Sequence, residues 1–250
     1  MEKDRKHFIS LIIPAYRQEK TIIENIKYVK KSLSSLPFEY EIIVVVDGFP
    51  DKTYEKAKSI KDKRVKIVGY DRNFGKGYAI RYGAKYAKGD IIGFIDAGMD
   101  IDSTGFSMLL NHMWWYNADI IVGSKLHPVS QVNYPVSRKI LSWVYRTLTH
   151  FMFGFKVRDT QVGFKIFRKS IIKNVFPKLL VKKFAFDIEI LAVSYALGYK
   201  RIYEAPIKLN FKENSITSKN FWKIILPMLW DTFAVFYRLR VLRYYKKDKK

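Results

Sequence analysis

Apolar residues cluster in short blocks along the first half of the chain. Runs rich in Ile and Val occur at 8–14 (FISLIIP), 41–47 (EIIVVVD), 65–70 (VKIVGY), 90–96 (DIIGFID) and 118–124 (ADIIVGS). Because they lack polar alternation, they read as strands buried on both faces. Polar-faced helical stretches separate them near 18–35, 52–62, 76–88 and 103–116. This order predicts an α/β layer architecture: a mostly parallel sheet with helices on both faces. In such sheets ligands bind beyond the carboxyl ends of the strands. Asp47, Asp96 and the pair Ser124–Lys125 fall at those ends.

The texture changes from about residue 135. The stretch SRKILSWVYRTLTHFMFGF reads as an aromatic, basic amphipathic helix, and KVRDTQVGFKIF as a strand or ordered loop. A helix over FAFDIEILAVSYALG ends at Gly198, and YKRIYEAPIKL is a further strand with Pro206 near an edge. The chain closes on an apolar helix over 220–237 and a tail with seven basic residues between 238 and 250. The simplest division is one domain over 1–220 and a C-terminal extension over 221–250, either docked to the core or lying on a membrane surface. No apolar window reaches the roughly 20 residues of a spanning helix, and the N-terminus does not read as a secretory signal.

Charge changes the picture more than composition does. The 250 residues include 46 Lys and Arg against 23 Asp and Glu, a formal net charge of +23. Such a field attracts nucleic acid, anionic membranes and phosphorylated substrates alike. No motif for specific nucleic-acid recognition accompanies it, so only salt-sensitive, sequence-blind binding would be expected there. Cysteine is absent, which excludes disulfides.

The densest candidate chemistry lies at 89–102, GDIIGFIDAGMDID, where a buried strand empties into Asp96, Asp100 and Asp102. Asp102 before Ser-Thr suits a helix N-cap. Asp96 and Asp100 suit a hard divalent cation shared with substrate phosphates; salt bridges to nearby lysines fit the same residues. Gly75 and Gly77 around Lys76 at a helix start favour a phosphate, although a capped surface helix has the same pattern. Asp47 either accepts hydrogen bonds from a ribose or base, or opens a turn by bonding its own backbone. Arg158, Asp159, Gln161 and Lys165 bring polar density into an apolar segment, as in a lined cavity or a solvated edge strand.

Together these segments resemble inverting family 2 glycosyltransferases of the GT-A fold, and within them the dolichol-phosphate mannose synthase type. SLIIPAYRQEKTI is similar to the family's V-x-I-P-A-Y-N-E-E-x-x-I, VVVDGFPDKT to V-V-D-D-G-S-x-D-x-T, and IVGSK to I-V-x-G-S-R. NFGKGYAIRYGAKYAKGDIIGFIDAG follows N-x-G-K-G-x-A-x-x-x-G-x-x-x-A-x-G-D-x-I-x-F-x-D-A-D, DTQVGFKIF parallels D-T-Q-x-G-F-K-x-F, and FAFDIEIL matches F-D-x-E-x-L. The sequence departs from this pattern at Gly98, where the second Asp of D-x-D would stand, with Asp100 two residues on. Arg17 and Gln18 replace Asn-Glu, Val46 replaces the first paired Asp, and Lys125 replaces Arg.

The resemblance implies transfer of a sugar, with inversion, from a nucleotide-diphosphate sugar such as GDP-mannose or a UDP-hexose to a polyprenyl phosphate. Asp96 and Asp100 would hold Mg²⁺ or Mn²⁺. Pro14, Ala15, Tyr16, Glu19 and Asp47 would frame the nucleoside, with Lys76, Ala97, Lys212 and Lys219 completing the donor site. Lys125, Arg138 and Lys165 would receive the acceptor phosphate, and Asp96, Lys125, Arg138 and Gln161 would carry the reaction. The implied setting is peripheral, on the cytoplasmic face of an anionic membrane, with a membrane-anchoring subunit as an allowed partner. Two alternatives stay open. One is a saccharide or other hydroxyl acceptor, with Asp159, Asp187 or Glu189 as base. The other is a non-catalytic subunit that binds nucleotide sugar or membrane.

Overall fold

The computed structural model describes residues 7–97, 103–124, 136–183, 185–207 and 221–246, excluding the side chains of 103–104, 136–142 and 221–225. The first half runs β1 (Phe8–Ala15), α1 (Ile22–Ser34), β2 (Glu39–Asp47), α2 (Thr53–Lys58), β3 (Val65–Tyr70), α3 (Lys76–Ala84), β4 (Ile91–Ile95), α4 (Ser103–Trp115) and β5 (Ile120–Ser124). The second half runs α5 (Val136–Phe153), β6 (Phe164–Arg168), α6 (Lys169–Asn174), α7 (Phe186–Ala196), β7 (Ile202–Pro206) and α8 (Phe221–Arg240). The short helix α6 and the 3₁₀ turns at Phe176–Lys178 and Tyr244–Lys246 carry no periodicity that the sequence pattern registers.

Among the described residues seven strands form one sheet in the order β3-β2-β1-β4-β6-β5-β7. All pairings are parallel except those of β6, which runs antiparallel to both β4 and β5. Ile42 to Val46 in β2 are completely buried, as unbroken apolar runs require in a sheet covered on both sides. The covering helices fall into two groups: α3 lies against β1 and β2 and touches α7, whereas α4 lies against β5 and β7 and touches α1.

The antiparallel β6 matters for function. Its first residue, Phe164, pairs with Ile95, the last residue of β4. The loop before β6 therefore arrives at the carboxyl ends of the parallel strands, where the candidate residues collect.

α8 packs on α7 and buries Val235 and Leu239. Its other side exposes Leu226, Trp230, Phe233 and Tyr237, at spacings of three and four that form one stripe, which Val241 continues just past the helix end. α5 exposes Trp143 and Val144, and leaves Phe151 89% accessible. Among the described residues no helix is long and apolar enough to cross a membrane.

The turn after α8 is pinned by Tyr245, which is buried and donates its hydroxyl to Glu189 Oε1 at 2.6 Å. Glu189 also accepts from the backbone N–H groups of Leu180 and Val181. One buried carboxylate thus ties α7, the 180–181 segment and the C-terminal turn together. Tyr245→Phe removes one of these donors and is expected to cost about 1.5–3 kcal/mol, as for hydrogen bonds to charged groups. Urea unfolding monitored by tryptophan fluorescence measures this cost.

Candidate active site

Asp96 follows β4, and its backbone N–H donates to the Gly163 carbonyl at 2.8 Å. A Cβ on Gly163 would lie 1.8 Å from Asp96 Oδ2, which no real side chain permits. Glycine at 163 therefore makes the space that the Asp96 carboxylate fills. That carboxylate stays 40% accessible to solvent.

From Asp96 a chain of alternating charges runs inward. Lys76 Nζ lies 2.8 Å from Asp96 Oδ1 and 2.9 Å from Asp187 Oδ2, and Lys165 Nζ lies 2.5 Å from Asp187 Oδ1. Both ammonium groups also sit 5.4 Å from the centre of the Phe94 ring. Burial pushes the Lys76 ammonium down, but Asp187 and Asp96 together outweigh it and hold its pKa above the ordinary lysine range. Burial wins at Lys165, whose pKa falls below that range although Asp187 opposes the shift. Two cations and two carboxylates balance, which is how charges are tolerated this deep.

Asp47 corrects an expectation. It is buried, and in place of a ribose, a base or its own turn its carboxylate accepts from Phe74 N–H and Gly75 N–H, each at 2.8 Å, and from the Asn73 side chain. The Gly77 N–H donates to the Lys182 carbonyl. The glycine-rich start of α3 thus spends these N–H groups on the protein's own acceptors and does not present them to a phosphate. Gly75, at φ +100°, provides the left-handed backbone this turn needs. Asp47 shapes the donor side of the site by holding this turn.

The remaining candidates divide clearly. Pro14 and Ala15 close β1 beside Val45 and Val46, and Tyr16 stands 40% exposed at the strand's end. Glu19 accepts from the Lys52 N–H, joining the turns after β1 and β2. Ala97 is half-buried after Asp96. Gln161 donates its amide to Tyr145 Oη at 3.2 Å, and Tyr145 is in turn 3.0 Å from the Thr232 hydroxyl of α8. Burial pushes the Tyr145 phenol up to about 12.

Lys165 differs from its expected place: it is fully buried, with Nζ committed to Asp187 and the Val162 carbonyl. Asp100, Lys125, Lys212, Lys219 and the Arg138 side chain lie outside the described residues. Among the described residues no group of three His, Cys, Asp or Glu could hold a metal; Asp96 offers one open carboxylate.

Sequence reasoning left Gly163, Asn73 and Glu204 without roles. The Glu204 carboxylate accepts from the N–H groups of Arg158 and Asp159, each at 2.8 Å, and so sets the loop that leads to Gln161 and Gly163. Spacing alone does not reveal such contacts, because they join residues far apart in the chain. Lys165→Met would leave Asp187 buried with one cation fewer and is expected to cost about 3–5 kcal/mol. Adding Asp187→Asn should recover part of that loss, so the double variant should cost less than the sum of the single ones. Urea unfolding of the three variants tests the pair.

Comparison with known proteins agrees with this geometry. The model for glycosyl transferase family 2 matches residues 10–176. A dolichyl-phosphate beta-glucosyltransferase of Trichomonas vaginalis is 31% identical over 214 residues, covering 81% of this chain and 66% of its own length. A human protein of the same description is 30% identical over 223 residues, covering 82% and 67%. A Drosophila melanogaster counterpart is 31% identical over 262 residues, covering 96% and 79%. The chain spans about two thirds of the length of the first of these relatives.

Among solved structures, glucosyl-3-phosphoglycerate synthase from Mycobacterium tuberculosis, in complex with Mn²⁺, UDP-glucose and phosphoglyceric acid, superposes with a TM-score of 0.68 at 15% identity. The match covers 100% of this chain and 82% of that one. Mannosyl-3-phosphoglycerate synthase from Rubrobacter xylanophilus gives 0.70 at 13% identity, covering 99% and 78%. At these identities the structures show a shared GT-A architecture. The family match covers β1 to the start of the 3₁₀ turn after α6, the stretch that supplies Asp47, Lys76, Asp96, Gly163 and Lys165, and the chain belongs to glycosyl transferase family 2.

Proposed function

We propose that this chain transfers glucose from UDP-glucose to dolichyl phosphate, giving dolichyl-phosphate glucose with inversion at the anomeric carbon. The description of its relatives supports glucose as the sugar, in place of the mannose that the sequence resemblance first brought forward. The supporting observation is that Asp96 is the open carboxylate of the site while both acidic residues of α7 are buried and committed. Asp187 is held by two lysines, and Glu189 by three donors.

A hydroxyl acceptor needs a general base within reach of its proton. Neither α7 carboxylate is placed to be that base, which leaves half-buried Asp159, on the loop before β6, as the one candidate of the three; a lipid phosphate arrives already ionised and needs none. In the reaction a phosphate oxygen attacks the anomeric carbon. The bond from that carbon to the nucleoside diphosphate breaks, and the diphosphate leaves with the electron pair. Approach from the opposite face inverts the centre.

In this reading Asp96, together with Asp100, would hold Mg²⁺ or Mn²⁺, whose contribution when bound is to neutralise charge on the leaving diphosphate. An all-oxygen donor pair suits those ions. Lys76 is the protein's own cation beside Asp96 and would turn toward the donor phosphates. Gly163 keeps the Asp96 carboxylate in place, and Gln161 is oriented by Tyr145. Lys125 and Arg138 are proposed to meet the acceptor phosphate. The exposed aromatic stripe of α8 and the +23 charge favour contact with an anionic membrane surface, where such an acceptor resides.

The test counts organic-phase label after incubating the protein with Mn²⁺ or Mg²⁺, short-chain polyprenyl phosphate and labelled UDP-glucose or GDP-mannose. Label from UDP-glucose, reduced about 100-fold or more in Asp96→Ala and in Gly163→Ala, is expected. Label from GDP-mannose alone would overturn the choice of sugar. No label from either donor, with folded protein bound to vesicles, would overturn the acceptor. Trp230→Ser with Phe233→Ser should weaken partition onto anionic vesicles by about tenfold or more, from the apolar burial lost, as measured by sedimentation.

A further inference from the structure

A second concentration of positive charge lies away from Asp96. A cavity of about 430 Å³ is lined by Lys200, Arg240, Arg243 and Lys246 over an apolar floor that includes Phe153 and Leu239. Among the described residues no acidic side chain lines it. Glu189 lies beneath the same turn, but its carboxylate is taken up by Leu180, Val181 and Tyr245.

These cations complement the C-terminal ends of α7 and α8 only in part. The magnitudes favour a ligand. Each helix C-terminus carries roughly half a negative charge, so two of them offset about one of four positive charges. The four side chains are exposed, but the backbone that carries Arg243 and Lys246 is fixed. Arg243 sits in left-handed backbone at φ +50°, Lys246 N–H donates to the Arg243 carbonyl, and buried Tyr245 anchors the turn between them. Lys200 lies 3.4 Å from the centre of the Tyr195 ring, which orients it from the opposite wall.

The place is distinct from the donor site. Asp187 begins the α7 helix at the Asp96 end, whereas Tyr195 and Ala196 end it at the cavity. At 1.5 Å per residue the two ends are about 13 Å apart along the helix axis. Lys200 precedes β7, whose far end, Pro206, pairs with Ser124 at the site end of the sheet.

We infer that this cavity is a second anion site, built for a phosphate group and separate from the donor site. Guanidinium pairs bind phosphate with two parallel N–H donors each, and the lysines add point charge. The exposed Val241, Leu242 and Tyr244 beside Arg240 and Arg243 favour a phospholipid headgroup as the source of that phosphate. The inference does not rest on the glucosyltransferase reading.

The experiment uses the full chain, an Arg240→Gln/Arg243→Gln variant, and a Lys56→Gln/Lys58→Gln variant that removes the same charge from exposed positions on α2. One arm titrates inorganic phosphate at constant ionic strength and reads the melting temperature. The other measures sedimentation with phosphatidylcholine vesicles, with and without phosphatidic acid. The expected result is saturable stabilisation by phosphate and retention on phosphatidic acid vesicles, both weakened about tenfold in the arginine pair and little changed in the lysine pair.

If only the phosphate arm separates the two pairs, the site stands and its occupant is a soluble phosphate. If only the vesicle arm does, the occupant is the headgroup. If neither arm separates them, the cations form a solvated surface and the inference fails. Lys200→Gln, on the other wall, gives an independent reading if the arginine pair unfolds. Unchanged UDP binding in the arginine pair would show that the donor site is intact.

Discussion

The site depends on keeping one carboxylate, Asp187, almost entirely out of water. It is 1% exposed, and a charge that deep must be matched by partners of opposite sign. Lys165 matches it from below and Lys76 from the site side, so three elements meet at a single carboxylate: α3, β6 and α7. Lys76 shares its ammonium with Asp96, and so the buried pair sets a cation beside the open carboxylate. Moving Asp187 would misplace Lys76, and with it the electrostatic surroundings of Asp96.

The sheet was legible from the chain because its signal is local. Five Ile- and Val-rich runs mark β1 to β5 within a few residues, and the helices between them are shorter than their polar-faced stretches. The antiparallel direction of β6 was not legible, since a short apolar run has no sense of direction until its neighbours are known. The motifs placed Asp96 and Lys76 at the site, but their chemistry followed only from pairing. Lys165 reads as a phosphate ligand in sequence and proves to be a buried partner of Asp187. Asp47 reads as a ribose or base acceptor or as the opener of its own turn, yet its carboxylate is taken up by the turn at 73–75. In both cases the deciding contacts join segments more than 20 residues apart, where spacing carries no information.

Asp47 also shows how a glycine-rich helix start can serve two ends. The same N–H groups that would cradle a phosphate bind a carboxylate from the neighbouring strand, and the turn becomes rigid before any substrate arrives. Such a turn costs less to order on binding than a mobile loop would. The anion-binding work then passes from backbone dipoles to side-chain cations, in keeping with a chain that has twice as many basic as acidic residues.

The position of β6 has a consequence for how the chain reaches its native state. Among the described residues β5 pairs only with β6 and β7, and β4 pairs with β1 on one side and β6 on the other. When residues 8–124 have left the ribosome, the first four strands can assemble, but β5 has no partner and β4 presents an open apolar edge. Open edges of that kind are templates for pairing with other chains. The strand that delivers Gly163 to Asp96 is therefore also the one that seals the nascent sheet, and the interval before residue 168 emerges is when this protein is most exposed to aggregation.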